Sequence, residues 1–536
     1  MNETSKASRE IILKIISGQI KTKNQLEKEK KKQSKKYSFP RILKNSDVLS
    51  NAYEDERELI VGILRKRPTR TISGVSVVAV MTQPYKCPHE TAPCLYCPGG
   101  PKDREIGTPQ SYTGLEPAAL RAIQNNYDPF EQTKSRLDQL TAIGHPISKI
   151  DLIIMGGTFF AHPINYQKDY IKGCIDAVIN KRTKNLEESI KIAEKSPNRL
   201  IGVTLETRPD CCSIQDLDRA LDWGVTRIEI GVQTLNDEIF KYVKRGHGIN
   251  EVINAFQVLR DHSFKVTAHM MPFLPNSTPE IDFEVFKILF TDERFIPDEI
   301  KIYPTLVVEG TELYKLWKNK DYIAPTNEDV IDFIVKIKEI VPKHVRIKRI
   351  LRDIPAYKIL AGPKKSNLRE LVWEKANNLN IKCKCLRCRE VGHLYNKFKI
   401  SPKIENIKMT TTKYDASKGI EYFLAFEDIV QDIIIGFLRL RFPSEKVTRP
   451  EIIRNKTSLV RELHVYGPEM ELGQFKSMAW QHQGYGARLL EEAERISCEE
   501  LDCKKIMVIS GIGAREYYLN HNYKLDGPFV SKLIKN

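Results

Sequence analysis

From Val75 to about residue 340 the chain alternates short β-branched apolar runs with amphipathic helical stretches, and no other feature narrows the fold as much. The strand candidates are Val75–Met81, Asp151–Met155, Ile201–Glu206, Arg227–Gly231, Lys265–Met270 and Ile300–Pro304. Between them lie helical patterns at Glu116–Asn126, Phe130–Ile143, Tyr166–Lys181, Leu186–Lys195, Ile214–Trp223, Asn236–Tyr242, Ile249–Asp261 and Pro279–Leu289. Repeated strand–helix units need parallel strands covered by helices, so an α/β domain with a parallel sheet, open or closed into a barrel, is expected. Chemistry in such sheets gathers at the carboxyl ends of the strands. Gly156, Gly157 and Thr158 follow the second strand, Glu206 ends the third, Glu229 and Gln233 flank the end of the fourth, and Lys301 lies in the sixth. Each is a candidate ligand-site residue, although polar residues at strand ends also serve as loop caps.

Beyond residue 404 the pattern changes. The runs GIEYFLAF, DIIIGFLRLRF and SLVRELHVYG alternate as antiparallel strands do. A helix over Gly484–Glu500, a strand over Ile506–Ser510 and a helix near Arg515–Asn520 complete an α+β domain. The expected division is a basic N-terminal arm (1–60), the first domain (61–342), a basic linker (343–404) and the second domain (405–536). Within the arm, Ile11, Ile12, Leu13, Ile15 and Ile16 suggest a short amphipathic helix. Residues 21–36, with eight lysines and two glutamates, suggest a mobile arm or a charged extension of that helix.

Charge placement points to a partner. The 536 residues carry 85 Lys+Arg against 69 Asp+Glu, a net +16. Residues 1–70 hold 18 basic and 9 acidic side chains, and residues 343–403 hold 17 and 4. The remainder is slightly acidic, so two segments carry the whole excess, as expected for a polyphosphate partner such as nucleic acid. A solubilising tail and a solvated linker give the same pattern. No apolar run reaches bilayer-spanning length and the N-terminus has no signal-peptide core, so a cytoplasmic chain with reduced thiols and no membrane partner is expected. Eleven cysteines in that setting read as metal ligands or catalytic thiols.

Six of those cysteines fall in two groups. KCPHETAPCLYCPGG places Cys87, Cys94 and Cys97 in the loop after the first strand. Three thiols are one short of a closed four-ligand zinc or iron–sulfur site, which suits a centre with one position open to a substrate. The same spacing suits a structural zinc knuckle completed by His89. KCKCLRCREVGH holds Cys383, Cys385 and Cys388, with His393 five residues on. Those spacings read as structural zinc, with His393 the local fourth ligand, a residue from another domain an alternative, and three buried thiols the non-metal reading. Zinc would fix a basic segment in which Lys348, Arg349, Arg352, Lys364, Lys365, Arg369, Lys382, Lys384, Arg387 and Arg389 are read as phosphate contacts.

In the second domain, Gln481, Gly484 and Gly486 form a Q-x-x-G-x-G turn directly before a helix whose Leu489, Ala493 and Ile496 share one face. Glycines at a helix N-terminus let backbone N–H groups approach a pyrophosphate, and the helix dipole adds to the attraction. The preceding strand would offer backbone groups to a pantetheine arm.

A three-cysteine loop after the first strand of a strand–helix barrel resembles the radical S-adenosylmethionine (SAM) superfamily. The resemblance implies a partial (βα) barrel in which Cys87, Cys94 and Cys97 hold a [4Fe–4S] cluster and SAM binds its open iron. Gly156, Gly157 and Thr158 would then meet the methionine amino group, and Glu206, Glu229, Gln233 and Lys301 would line the SAM site. The usual first cysteine gap is three residues and here it is six. The second domain resembles the GCN5-related N-acetyltransferase fold, in which acetyl-CoA lies on the glycine turn. Tyr517 and Tyr518 then fall where that fold places a tyrosine near the thioester sulfur.

The motifs CLYCPGGP, QSYTGLEPAALRAI, MGGTFFA, ETRPD, EIGVQT, RGHG, AHMMP, IYPTLVVEGT, RDIPA, RELHVYG and HQGYG, in this order, resemble the Elongator catalytic-subunit family over roughly residues 60–536. That resemblance implies a tRNA carboxymethyluridine synthase, which uses SAM radical chemistry to join the acetyl group of acetyl-CoA to carbon 5 of the wobble uridine. The base would be reached in the anticodon stem-loop. Acetyl-CoA contacts would fall on Glu462, Leu463, His464, Val465, Tyr485, Gly486, Ala487 and Tyr518, and on Lys149 from the first domain. Lys149, Tyr517 and Tyr518 are the catalytic candidates. Accessory subunits or self-association are compatible with this reading and not specified by it.

Two other functions are weighed. A protein lysine acetyltransferase would need an acidic groove for basic tails, and it leaves the Cys87 loop without a purpose. A zinc-stabilised RNA-binding scaffold with vestigial pockets would tolerate loss of the cluster cysteines and the glycine turn, and both are present.

Overall fold

The computed structural model describes residues 3–65, 71, 73–88, 93–100, 107–467 and 483–534. His89 and Gln481 lie outside the described residues. The N-terminal segment is not an arm. It forms helices α1 (Glu3–Ile16), α2 (Lys23–Lys36), α3 (Asn45–Leu49) and α4 (Glu54–Leu64). They close over their own small core of Ile11, Ile12, Leu26, Val48, Ile60 and Leu64. Most of the charged run 21–36 therefore lies on the outer face of a packed helix, with Leu26 and Lys30 turned inward. Arg65 Nε donates to Gly144 O at 2.7 Å and ties this unit to the next.

The first sheet contains β1 (Ser76–Met81), β2 (Lys149–Met155), β3 (Arg199–Thr207), β4 (Arg227–Gln233), β5 (Lys265–Met270) and β6 (Glu299–Ile302). A two-residue strand β7 (Val307–Val308) follows, then β8 (Arg346–Ile350), then β9 (Ile359–Ala361), which pairs with β7. The large sheet runs β1-β2-β3-β4-β5-β6-β8, all parallel, with helices between the strands, the expected partial barrel. Its seventh strand, RIKRI, falls in the segment expected to be linker. Three basic residues among five hide a strand whose alternate side chains face acids instead of apolar neighbours.

That alternation is the central fact of the fold. Successive strand residues point to opposite faces. Ile150, Leu152, Ile154, Val203, Leu205, Ile228, Ile230, Val266, Ala268, Ile300 and Ile347 are buried in the main apolar core that the helices cover. The other face gathers Asp151, Thr204, Arg227, Glu229, His269, Glu299, Lys301 and Lys348, which bond one another across the lumen, together with Glu206, Lys265 and Arg346, which bond Tyr112, Glu462 and Glu390 at its two ends. Barrel interiors are ordinarily filled by branched apolar layers. This one is lined with charge.

The second sheet contains β10 (Ile407–Ala416), β11 (Gly419–Asp428), β12 (Ile433–Phe442), β13 (Thr457–Val465), β14 (Lys505–Val508), β15 (Lys524–Asp526) and β16 (Phe529–Leu533), in the order β10-β11-β12-β13-β14-β16-β15. All neighbours are antiparallel except β13 and β14, which pair in parallel only from Thr457 to Val460. Arg461–Val465 therefore leaves β14 and opens a wedge. The helix Tyr485–Arg495 buries Leu489, Leu490 and Ala493 against Phe426, Leu438 and Val460.

The two sheets meet across a buried ionic seam. Arg260 reaches Glu421 at 3.1 Å, Arg441 reaches Asp261 at 2.7 Å and Arg461 reaches Asp298 at 2.7 Å, each pair almost wholly sealed from water. At Gly511 the backbone passes so close to Ile201 O that a side chain there would collide with it. No helix among the described residues is long and apolar enough to cross a membrane.

Candidate functional site: a charged lumen between two cavities

The carboxyl ends of the barrel strands enclose a cavity of about 510 Å³. Cys87, Cys94, Cys97, Gly157, Thr158, Glu206, Glu229 and Gln233 line it, so the structure brings together almost all the residues expected there. Gly156 lies behind them at φ +147°, where a Cβ would run into Thr82 Oγ1, and its N–H donates to Glu206 Oε2 at 3.4 Å. The same oxygen accepts from Tyr112 Oη at 2.5 Å. Gln233 holds a left-handed φ of +72°, a backbone state uncommon outside glycine. Lys301 does not line this cavity. It sits beneath it, in an ion pair with the buried carboxylate of Glu229.

Each thiol has its own polar neighbour. Gln110 Nε2 lies 3.3 Å from Cys97 Sγ, Arg208 Nη1 3.8 Å from Cys87 Sγ and Arg245 Nη1 3.7 Å from Cys94 Sγ. Arg245 Nε and Tyr96 Oη are buried there with no partner. Among the described residues, three-ligand groups with all donor atoms within 4.8 Å occur at Cys383/Cys385/Cys388 and at Glu206/Glu229/His269. Cys87, Cys94 and Cys97 are spread more widely, as a multi-iron cluster needs and a single zinc ion does not. Cationic donors around three thiolates fit such a cluster.

A second cavity, of about 490 Å³, lies at the opposite, amino end of the barrel, capped by the second sheet. Lys149, Glu462, Leu463, His464, Val465 and Tyr518 line it, alongside Arg227, Lys265, Glu299, Arg346 and Lys348 from the lumen. Residues from both domains thus meet as expected. Glu462 is held by Lys265 across the seam and by Arg439 at 3.0 Å. Burial pushes the His464 imidazole down to about 4, so it is neutral at pH 7. Tyr517 stands outside the cavity, edge-on to Tyr518 at 5.2 Å and beside Gly486. Gly484, at φ +78°, caps the helix whose first turn carries Tyr485, Gly486 and Ala487. The structure leaves these four out of the cavity lining, and the Tyr485 ring packs into the core against Phe426.

At the second cysteine group, the sulfurs of Cys383, Cys385 and Cys388 converge, and Lys338 Nζ lies 3.3 Å from Cys388 Sγ. His393 does not join them. Its Nε2 lies 3.8 Å from Glu390, and the ring faces the second cavity, because its helix, Val391–Phe398, packs toward the second sheet. The expected phosphate contacts also divide. Arg389 is buried against Glu427 and Asp432, Arg369 donates to Ile347 O, Arg352 to Ser111 O, Arg349 pairs with Asp353, Arg387 lines the second cavity and Lys348 lies in the lumen. Lys364, Lys365, Lys382 and Lys384 remain exposed. Sequence reasoning missed the lumen layer of Asp151, Arg227, His269 and Glu299; the signal was polar residues at every second position of otherwise apolar strands.

Comparison with known proteins matches residues 84–284 to the radical SAM superfamily, 297–378 to the radical SAM C-terminal domain and 4–72 to the ELP3 N-terminal domain. A tRNA uridine(34) acetyltransferase of Methanocaldococcus infernus is 50% identical over 489 residues, 91% of each chain. Elongator complex protein 3 of Schizosaccharomyces pombe is 43% identical over 537 residues, 99% of this chain and 98% of its own. The solved archaeal Methanocaldococcus infernus Elp3, lacking residues 1–46, covers 86% of this chain and 100% of its own at 46% identity, with a TM-score of 0.77.

A parallel partial barrel with three thiols at its carboxyl end makes this a radical SAM protein, with a second mixed sheet built against the barrel's other end. That fold implies a [4Fe–4S] cluster and SAM. Within the class, the chain belongs to the family of Elongator complex protein 3 and the archaeal tRNA uridine(34) acetyltransferases.

Proposed function

We propose that the protein modifies the wobble uridine of tRNA at carbon 5, using acetyl-CoA and SAM radical chemistry to form 5-carboxymethyluridine. The observation that carries this reading is the pairing of two cavities at opposite ends of one charged lumen. A thiol-lined chamber at one end and a two-domain chamber at the other suit a reaction that joins products of two cofactors. When bound, the cluster with SAM would supply a carbon-centred radical, and acetyl-CoA the two-carbon unit.

The chain's own residues bind, orient and exclude water. Cys87, Cys94 and Cys97 would hold the cluster, and Gly156, Gly157 and Thr158 leave room for the backbone to meet SAM. Glu206 is fixed by Tyr112 and Gly156, so one oxygen stays oriented toward the cavity. Lys149, Glu462–Val465 and Tyr518 would bind the acetyl-bearing arm in the second cavity, and the first turn of Tyr485–Arg495 would meet its pyrophosphate. Cys383, Cys385 and Cys388 would hold zinc, with Lys338 offsetting part of the thiolate charge. Lys364, Lys365, Lys382 and Lys384 would meet tRNA phosphates near the anticodon stem-loop.

A protein lysine acetyltransferase is less well supported, because the second cavity is walled by cations as well as acids and opens toward the barrel. The test is anaerobic iron loading, addition of SAM, reductant and acetyl-CoA, then mass analysis of tRNA nucleosides. A carboxymethyluridine signal that needs all three is expected. Acetylation of protein lysines with no change in tRNA would sink the proposal.

A further inference from the structure

The two cavities are separated by one thin layer. Val77 lines both. Glu229 lines the thiol side, while Lys348 and Glu299 line the cofactor side. The Lys348 ammonium spans them, 3.3 Å from Glu229 Oε1 and 3.2 Å from Glu299 Oε2. With that bridge in place, the lumen is closed by charge.

Resting on the function proposed above, we propose that Lys348 is the gate and acyl-positioning residue of this passage. It exchanges one carboxylate acceptor for the thioester carbonyl when the acetyl end of acetyl-CoA moves from the second cavity toward the first.

Three observations single out Lys348 among the lumen cations. It is accessible, with 21% of its side chain exposed, whereas Lys301 is 7% exposed and lines neither cavity. Its two contacts are long for charge-assisted bonds, which are usually about 2.7–2.9 Å. Its departure strands no charge. Glu229 keeps Lys301 and the His269 Nε2 at 3.0 Å, and Glu299 keeps Thr267 Oγ1 at 2.9 Å and Arg227 at 3.8 Å. Breaking a buried pair is costly mainly when it leaves a partner unpaired, and here each carboxylate has a second cation or donor. An ammonium that can leave at small cost, set where two cavities touch, is suited to hand a substrate across.

The experiment uses methyl-deuterated acetyl-CoA with the iron-loaded enzyme, SAM, reductant and tRNA. It compares the parent, Lys348→Arg and Lys348→Met. Deuterium should appear in 5′-deoxyadenosine with the parent and with Lys348→Arg. Lys348→Met should still bind acetyl-CoA by calorimetry and still cleave SAM, while deuterium transfer falls on the order of a hundredfold, the penalty for a misplaced reacting group. Deuterium transfer by Lys348→Met at the parental level would overturn the proposal. So would joint loss of acetyl-CoA binding, SAM cleavage and thermal stability, which would make Lys348 a structural strut. A parent that transfers no deuterium would instead defeat the functional reading. Independently of turnover, a structure with a non-hydrolysable acetyl-CoA analogue should place the carbonyl oxygen within hydrogen-bond reach of Lys348 Nζ. A carbonyl resting elsewhere, with the Glu229–Lys348–Glu299 bridge intact, would also overturn it.

Discussion

Arg461 donates from both terminal nitrogens to Asp298, at 2.8 and 2.7 Å, and this forked pair joins the second sheet to the barrel where neither residue touches water. Asp298 sits just before β6, and Arg461 is the residue at which β13 leaves β14. The geometry of the wedge is thus tied to the geometry of the lumen, and the two cavities keep a fixed relation.

The first prediction follows from that pair. Asp298→Asn would remove one of the two buried carboxylates, Asp298 and Glu421, that neutralise Arg461, a change that costs at most the roughly 3–5 kcal/mol of a fully unpaired buried charge. Burial alone would raise the Asp298 carboxyl, but the charges of Arg461 and then Arg439 outweigh it and hold it well below the usual carboxylate range. A depressed carboxylate gives its full stabilisation above the unfolded value, near about pH 4, and loses it as pH falls toward the folded one. Thermal melts from pH 7 to pH 2 should show the parent losing stability below about pH 4 and the variant losing less of it there. Parallel curves would show that the seam does not govern acid stability.

Asp282 behaves in the opposite sense. Burial pushes its carboxyl up to about 6, although it accepts from the Phe273 N–H at 2.5 Å and from Ser277 Oγ at 2.8 Å. The folded state therefore keeps a proton that the unfolded chain has lost, and this group makes stability fall as pH rises from about 4 to 6. Asp282→Asn keeps the acceptor oxygen and removes the ionisation. Its melting temperature should match or exceed the parent's at pH 7 and lie no higher at pH 4. A lower melting temperature at pH 7 would mean the charge itself is needed.

These two carboxylates also show what a sequence makes legible. Apolar runs flagged six of the barrel strands, because one face of each packs under helices and reads as hydrophobic. The Cys87 loop and the Gly156–Gly157 turn were legible because unusual residues sit at fixed offsets from those runs. The strand Arg346–Ile350 was not, since its inward residues answer to acids on other strands, and such pairing is visible only once the barrel closes. The same reason hid Asp298–Arg461, which are 163 residues apart. His393 misled because sequence proximity to three cysteines suggested a ligand, while its helix turns it toward Glu390.

The two thiol groups should lose metal independently. Cys94→Ala leaves two thiolates, too few to hold a four-iron cluster, and should abolish iron retention after anaerobic loading while zinc stays. Cys385→Ala should release zinc and lower stability without changing iron content, because Cys385 is buried beneath the barrel strand that holds Lys348. Iron and zinc by elemental analysis read both outcomes at once. Coupled loss of both metals from either variant would place the two sites in one folding unit.

The last prediction separates surface cations from buried ones. Each phosphate neutralised contributes about −0.7 to −0.9 to the slope of log K against log salt. Lys364, Lys365, Lys382 and Lys384 are exposed, as are Lys31, Lys32 and Lys35 on α2. Replacing Lys364 and Lys365 with Ala should weaken tRNA binding and flatten the salt slope by about 1–2 if both meet phosphate. Replacing Lys31, Lys32 and Lys35 with Ala, which preserves helix propensity, asks the same of α2 without dismantling its core. Arg389 is the control. Its guanidinium lies 2.6 Å from Glu427 and 2.7 Å from Asp432 with 2% of its side chain exposed, so Arg389→Ala should lower the melting temperature, since the buried Glu427 would keep only the longer contact to Lys343 at 3.8 Å. None of the lysine variants should change which base is modified, because phosphate contacts position the RNA and carry no sequence information. Salt titrations of tRNA binding are the measurement, and a slope unchanged in both lysine variants would move the tRNA path onto the mouths of the two cavities.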